Sequence, residues 1–120
     1  MITHLKFAGV ACRDQETQLK FWTEKIGFKV LTDQPLGDQR WIELGLPGGQ
    51  AGIVLFTPEG HEDRVGTFFN GSFACDDVEA TYRQLSERGV EFRQPPTKQP
   101  WGTFAIFADP EGNSFVMGAP

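Results

Sequence analysis

The sequence has little cysteine, little positive charge and no long apolar run. Its two cysteines, Cys12 and Cys75, are too few for a disulfide framework, so we expect a protein of the reducing cytoplasm. The 11 Lys and Arg residues against 16 Asp and Glu residues give a net charge of −5. That balance argues against nucleic acid or an anionic membrane as a partner, because both are bound by clustered cations. No stretch approaches the roughly 18 consecutive apolar residues of a membrane-spanning helix, and the first residues lack the pattern of a secretory signal.

Phenylalanine, in contrast, is abundant. The chain has 11 Phe and three Trp among 120 residues, which is the length of one domain. Core packing accounts for most of these rings, and enough of them remain to line a pocket. The two histidines, His4 and His61, are expected in solvent rather than as metal ligands, because strand alternation turns His4 outward and His61 lies in a polar segment.

The chain is predicted to contain two copies of one structural unit. Each half has the order strand, helix, strand, strand, strand, with module 1 at about residues 1–58 and module 2 at about residues 67–120. A polar segment that contains glycine connects the halves. Two βαβββ modules paired by a pseudo-twofold axis would form a curved, barrel-like mixed sheet with the helices outside and a concave face inside. We therefore expect one α+β domain over residues 1–120.

The repeat is visible in individual residues. The predicted helix N-caps Asp14 and Asp77 are 63 positions apart, and the predicted helix-ending glycines Gly27 and Gly89 are 62 apart. In the first helix, Leu19, Trp22 and Ile26 are spaced as one helical face. The polar stretch 33–38 is expected to be a connection, and Gln94-Pro95-Pro96 is expected to break a strand.

The stretch 104–117 predicts a β-hairpin. Two apolar runs flank Asp109-Pro110-Glu111-Gly112-Asn113, whose residue types favour a tight reversal. Pro110 pre-sets φ for the second turn position, the Asp109 side chain can accept from backbone N–H groups ahead of it, and Gly112 tolerates a positive φ.

Three segments resemble the vicinal oxygen chelate superfamily, which groups glyoxalase I, bleomycin-resistance proteins and extradiol dioxygenases. Lys20–Val30 is similar to the family's helix that ends in an aromatic pair, an apolar residue, Gly and Phe. Phe107–Asn113 resembles its aspartate-proline-acid-glycine-asparagine turn, and Ala74–Val78 its second strand-to-helix junction. The resemblance covers essentially the whole chain and implies the paired βαβββ fold and a homodimer. It indicates fold rather than activity, because the fold hosts several chemistries.

The resemblance also implies where a metal would be held. Metal-dependent relatives take His, Glu or Gln ligands from the first and last strands of each module, which correspond here to Phe7, Val54, Asn70 and Val116. Three of these residues are apolar and one is a neutral amide, a poor ligand for a soft or borderline ion. A shift of one residue does not repair the set. We therefore expect no metal and no other cofactor.

Strand alternation from these four positions predicts the lining of the concave face. The lining is apolar and aromatic with a few polar groups, as in a small-molecule pocket, although a collapsed barrel interior has a similar composition. Trp41 and Trp101 are candidate aromatic walls for a flat ligand. The predicted lining residues are Leu5, Phe7, Gly9, Gly52, Val54, Phe56, Asn70, Ser72, Ser114 and Val116.

Glu43 shares a face with Trp41 if Ile42 and Leu44 pack beneath the helices. A carboxylate in an apolar cup can act as a general base or bind a cation. The alternative is an ordinary surface acid at a solvated strand end.

The leading hypothesis is a binding protein similar to the metal-free bleomycin-resistance branch, which sequesters an aromatic or cationic compound in an apolar cup. Its ligand would stack on Trp41, Phe56 and Trp101, be oriented by Asn70 and Ser72, and be attracted by Glu43. The alternative is a divergent lyase, isomerase or dioxygenase with an unrecognised metal site or with Glu43 as its base. A third hypothesis is an interaction module whose cup is filled by its own side chains.

Overall fold

The computed structural model describes residues 1–3, 5–67 and 70–120, with the backbone but not the side chain of Asn70. The predictions for His4 and for the start of the fifth strand at 68–69 lie outside these residues. The described chain divides into two compact units, Met1–Val65 and Gly66–Pro120. No helix in these residues is long and apolar enough to cross a membrane.

Each unit has the order strand, helix, strand, strand, strand. The elements of the first unit are β1 (Phe7–Ala11), α1 (Gln15–Lys20) continued by a π-helix (Phe21–Ile26), β2 (Lys29–Leu36), β3 (Gln39–Gly45), β4 (Gly52–Phe56) and a 3₁₀ turn (Glu62–Arg64). The elements of the second unit are β5 (Asn70–Ala74), α2 (Val78–Glu87), β6 (Glu91–Gln99), β7 (Gly102–Ala108) and β8 (Ser114–Ala119). The predicted α+β class with two βαβββ modules is confirmed.

The strands form two four-stranded mixed sheets with the same topology. The strand orders are β1-β4-β3-β2 and β5-β8-β7-β6. In each sheet the first and last strands of the unit are parallel and the other pairs are antiparallel. The register repeats as well, since Phe7 pairs with Gly52 as Asn70 pairs with Ser114. The internal repeat seen in the sequence is therefore a repeat of backbone structure.

The first helix has the predicted ends but a different buried face. Asp14 accepts from the Thr17 N–H at 3.1 Å, and Gly27 ends the helix with φ 103°. Its second half is wound as a π-helix, which changes the angular position of each residue. The buried residues are therefore Gln18, Phe21 and Trp22 rather than the predicted Leu19, Trp22 and Ile26.

A buried hydrogen bond accompanies this change. The Trp22 indole N–H donates to the Gln18 side-chain oxygen at 3.0 Å, and both residues are fully buried. The Trp22 ring also makes edge contacts with Phe21 and Phe28 at centroid distances of 5.3 and 5.4 Å. Gln18 can lie in the core because its amide oxygen has this partner.

Two predicted interruptions are wrong, and both fall on edge strands. β2 continues through the polar stretch to Leu36, and β6 continues through Pro95-Pro96 with two register shifts. An edge strand pairs on one side only, so it tolerates polar residues and prolines that a central strand would not. Asp33 is also tied across to β3, because it accepts two hydrogen bonds from the Arg40 guanidinium at 3.0 and 2.6 Å.

The closing hairpin forms as predicted. Asp109 Oδ1 accepts from the N–H groups of Glu111 and Asn113 at 3.0 and 2.9 Å, and Gly112 has φ 94°. Asp109 Oδ2 accepts from the Asn113 side-chain amide at 2.7 Å. The Asn113 side-chain oxygen in turn accepts from the Gly66 N–H at 3.0 Å. The turn is therefore a buried polar network.

Each sheet has one apolar face beside its helix and one opposite face, which we call the open face. In the first unit the helix-side residues Ile42, Leu44 and Leu55 are fully buried. In the second unit Phe107 and Phe115 stack with ring centroids 5.4 Å apart and are buried as well. Alternation along the strands places the remaining side chains on the open faces, where the candidate site lies.

Candidate ligand-binding site

The open face of the first unit carries a cavity of about 300 Å³, which we call the aromatic cavity. Strands β1, β3 and β4 supply most of its walls, and the β2–β3 hairpin closes one end. Four residues predicted from the sequence as ligand contacts lie together here. The lining residues are Phe7, Gly9, Leu36, Gln39, Trp41, Val54 and Phe56.

Three rings shape this cavity. The Phe7 and Trp41 rings meet edge to face with centroids 5.6 Å apart. The Phe56 ring lies over Gly9, because a Cβ atom built at that glycine would be 2.8 Å from the Phe56 Cε1 atom. Gly9 pairs in register with Val54, which is 2% exposed. The small residue at position 9 therefore lets an aromatic ring lie flat against the strand.

The end of the cavity is held by amide hydrogen bonds. Gln39 donates to the Thr57 carbonyl at 3.1 Å and accepts from the Thr57 N–H at 2.8 Å. Gln15 on α1 likewise donates to the carbonyls of Arg40 and Leu55 at 2.6 and 2.9 Å. These bonds fix the ends of β3 and β4 relative to the helix. The Gln39 side-chain amide is therefore already hydrogen-bonded to the backbone.

A second cavity of about 460 Å³ adjoins the first along the same face, and we call it the charged cavity. Glu43 lies here, not in the aromatic cavity. The lining residues of the two cavities are neighbours in the sheet, because Glu43 pairs with Val54 and Gly52 pairs with Phe7. Residues that line the charged cavity are Lys6, Lys29, Leu31, Glu43, Gly45, Leu46, Pro47, Gly49, Gln50, Ala51 and Gly52.

A polar cavity of about 320 Å³ lies at the opposite end of the first unit. It shares Gln39 with the aromatic cavity. Its lining residues are Arg13, Gln15, Asp38, Gln39, Thr57 and Glu59.

The predicted contacts of the second unit lie on its own open face. Ser72 is exposed and pairs in register with Val116, which is half-buried. Trp101 is 65% exposed and stacks on Phe104 with centroids 5.6 Å apart. The side chain of Asn70 lies outside the described residues.

The residues at the metal-equivalent positions do not suit a metal. Phe7 and Val54 lie on neighbouring strands of one sheet, and Val116 occupies the corresponding place in the other, so no carboxylate or imidazole reaches either location from these positions. Within 1–3, 5–67 and 70–120, no group of three or more His, Cys, Asp or Glu is placed to hold an ion.

Several residues near the site were not predicted. Leu36 was not predicted because 33–38 was expected to be a connection rather than the end of β2. Lys6 precedes β1 and Lys29 begins β2, and the sequence does not show that these are the outer strands of the sheet. Gln39 was predicted only as the first residue of a strand. Arg93 donates to the Ser114 hydroxyl on the open face of the second unit and lies at a register shift in β6, which periodicity does not indicate.

Comparison with known families settles the relationship of this chain. The sequence profile of the Glyoxalase/Bleomycin resistance protein/Dioxygenase superfamily matches residues 2–117. The chain belongs to this superfamily. It is also 33% identical over 121 residues to YetH of Bacillus subtilis (strain 168), an alignment that covers 98% of each chain.

Solved structures from this superfamily share the fold. TnmS3, described as an antibiotic binding protein from Streptomyces sp. CB03234, is 34% identical with a TM-score of 0.88, over 99% of this chain and 97% of TnmS3. UcmS2 is 32% identical with a TM-score of 0.87, over 98% of each chain. The resemblance inferred from the three sequence segments is confirmed at the level of family and fold.

Proposed function

We propose that the protein binds a flat aromatic small molecule in the aromatic cavity, without a metal. The observation that carries this proposal is the lining of that cavity, in which Phe7, Trp41 and Phe56 surround an apolar floor. Its volume of about 300 Å³ suits one aromatic portion of a ligand and lies at the small end of the usual range for ligand pockets.

Stacking supplies most of the binding energy in this proposal. Each well-oriented aromatic pair contributes roughly 0.5–1.5 kcal/mol beyond the burial of its apolar area. Phe7 and Trp41 are half-buried and already in contact, so little side-chain entropy is lost when a ligand joins them. The site is therefore suited to a rigid, planar compound.

The second unit contributes proposed contacts of its own. Asn70 and Ser72 would orient polar groups of a ligand, while Val116 and Trp101 would offer apolar and aromatic surface. Trp101 is 65% exposed, so its ring is accessible to a ligand. We propose further that the protein acts as a homodimer in the cytoplasm, which light scattering and fractionation would check.

The relatives support a binding role. TnmS3 is described as an antibiotic binding protein, and this chain matches it over nearly its whole length. We therefore extend the proposal to antibiotic-like compounds with a fused aromatic system. An element analysis of protein purified without added metal is expected to find no stoichiometric Zn, Ni, Mn or Fe, and a stoichiometric ion would contradict the metal-free proposal.

Tryptophan fluorescence tests the site directly. Trp22 is fully buried and Trp41 lines the cavity, so the quenching that a Trp41→Phe variant loses is assigned to the cavity, and any that remains is assigned to the exposed Trp101. Micromolar planar aromatic compounds are expected to quench the wild type and to quench this variant much less. Absence of quenching by every compound of the panel, with the protein folded, would overturn the proposal.

A matched pair of truncations separates binding from stability. Phe56→Ala removes a ring from the cavity, whereas Phe92→Ala removes a half-buried ring that packs on Tyr82 in the second unit. Calorimetric affinity is expected to fall about tenfold or more for Phe56→Ala and to stay within about twofold for Phe92→Ala. Equal losses for both variants would show that the cavity is not the binding site.

A further inference from the structure

The charged cavity indicates the charge of the ligand, which the aromatic cavity does not. Its ionisable lining residues are two lysines and one glutamate, Lys6, Lys29 and Glu43. The local formal charge is thus +1, opposite in sign to the net charge of −5 of the whole chain. At physiological salt, charges more than about 8 Å from an exposed group are largely screened. A group bound in the charged cavity therefore responds to these three side chains more than to the net charge of the whole chain.

The backbones that carry the three residues are fixed by the sheet. The Lys6 carbonyl accepts from the Gly52 N–H at 2.9 Å, Lys29 pairs in register with Gly45, and Glu43 is on the central strand β3. The two lysines therefore stand on opposite edges of the sheet, roughly 14 Å apart by three strand spacings. Their long flexible stems can turn either ammonium group toward the middle.

The floor between them includes two glycines, and the Leu31 side chain lies against one of them, since a Cβ atom at Gly45 would be 2.9 Å from Leu31 Cδ1. Gly45 and Gly52 both line the charged cavity, and a Cβ atom at Gly52 would be only 2.4 Å from the Leu44 carbonyl oxygen. Only glycine therefore fits at that position of the β3–β4 hairpin. The lining of the charged cavity lies close to that of the aromatic cavity, because Trp41 and Glu43 are two residues apart on one face, roughly 7 Å.

From this arrangement we infer that the ligand carries an anionic substituent beside its aromatic body, and that Lys6 and Lys29 bind this substituent while the rings hold the body. The inference rests on the proposed function of the aromatic cavity. It differs from the sequence-based hypothesis that Glu43 attracts a cation, because two lysines line the same cavity as Glu43. The class of ligand is an aromatic carboxylate, sulfonate or phenolate.

A pair of dyes that differ by one charged group tests the inference. Anilinonaphthalene sulfonate is the sulfonated form of N-phenylnaphthylamine, and both dyes fluoresce more strongly in an apolar site. The wild type is expected to bind the sulfonate more tightly than the neutral dye. Lys6→Gln and Lys29→Gln should each weaken binding of the sulfonate about threefold, and the double substitution about tenfold, with little change for the neutral dye.

The controls use other charges of the chain. Lys98→Gln, which removes an exposed lysine of the second unit, should leave both affinities unchanged, and Glu43→Gln should tighten binding of the sulfonate about twofold to threefold. If the neutral dye binds and the sulfonate binds no better in any variant, the inference fails while the proposed function stands. If neither dye binds the folded protein, the proposed function fails as well.

Discussion

The two units share one backbone but present different open faces. Positions 7, 41 and 56 of the first unit, which line its cavity, are Phe7, Trp41 and Phe56. Their counterparts in the register of the second unit are Asn70, Phe104 and Gly118. At these three positions the first unit thus has three aromatic residues, whereas the second has one.

The helix-side faces differ far less. Leu44 and Ile53 of the first unit correspond to Phe107 and Phe115 of the second, and all four are apolar and buried. Burial of this face stabilises each unit, so apolar residues are required there in both. The open face is free of that requirement. Its composition is therefore free to serve a ligand, and the comparison supports the proposal that the first unit supplies the aromatic contacts.

The largest expected effect comes from the helix-side face. Phe115→Ala removes a fully buried ring that stacks on Phe107, and should lower the free energy of unfolding by about 3–5 kcal/mol. Val116→Ala, on the half-buried open face of the same strand, should cost clearly less. Urea denaturation measures both. Equal losses would contradict the division of each sheet into a stabilising face and a ligand face.

The second-largest effect is expected at the closing turns of the two units. Asp109 accepts three hydrogen bonds inside its turn, and Asp109→Ala leaves buried donors without an acceptor. We expect a loss of about 2–3 kcal/mol in the free energy of unfolding. The turn of the first unit has no such carboxylate, and Gln50→Ala there, at an exposed position, should cost under about 0.5 kcal/mol. A small loss for Asp109→Ala, measured by thermal unfolding, would show that the network is dispensable.

Much of the fold could be predicted because local chemistry determines it. Asp14 and Asp77 cap their helices, Gly27 ends one, and Asp109 closes a turn, each through contacts within a few residues. The errors arose where irregular helix geometry or the position of a strand in the sheet, rather than local residue preference, determines the structure. Gln18 is buried through its bond to Trp22 in a π-helix, which propensity does not indicate.

The candidate site was predictable only in part for the same reason. Alternation along β3 placed Trp41 and Glu43 on one face, and the structure has them there. Alternation could not predict that Trp41 and Glu43 line two different cavities, because the position of each cavity depends on where β1 and β2 lie in the sheet. The lysines at those edges therefore became visible only once the strand order was known.

The comparison of Gly9 with Ser72, its counterpart, gives a third prediction. Gly9→Ala adds a methyl group 2.8 Å from the Phe56 Cε1 atom, so the ring must shift into the cavity. We expect affinity for a planar ligand to fall several-fold, with a change in unfolding free energy below about 1 kcal/mol. Ser72→Ala, where a side chain is already present, should leave the first unit's cavity intact. Unchanged affinity of Gly9→Ala by fluorescence titration would argue against the Phe56 ring as a ligand contact.

The smallest effect is expected at an ion pair of the first unit. Asp33 accepts two hydrogen bonds from Arg40, which hold the pKa of Asp33 below its ordinary value of 3.8, whereas the register counterpart of Arg40 is Thr103. The two side chains are 31% and 37% exposed, so screening limits the contribution of the ion pair to the free energy of unfolding to about 0.5 kcal/mol.

Because the pKa of Asp33 is lower in the folded protein, the contribution of this ion pair is present above about pH 3.8 and is lost as the pH falls through the folded value. Asp33→Asn should therefore be slightly less stable than the wild type at pH 7, and the difference should shrink toward pH 3. A difference that persists at low pH in urea denaturation would mean that Asp33 stabilises β2 without its charge.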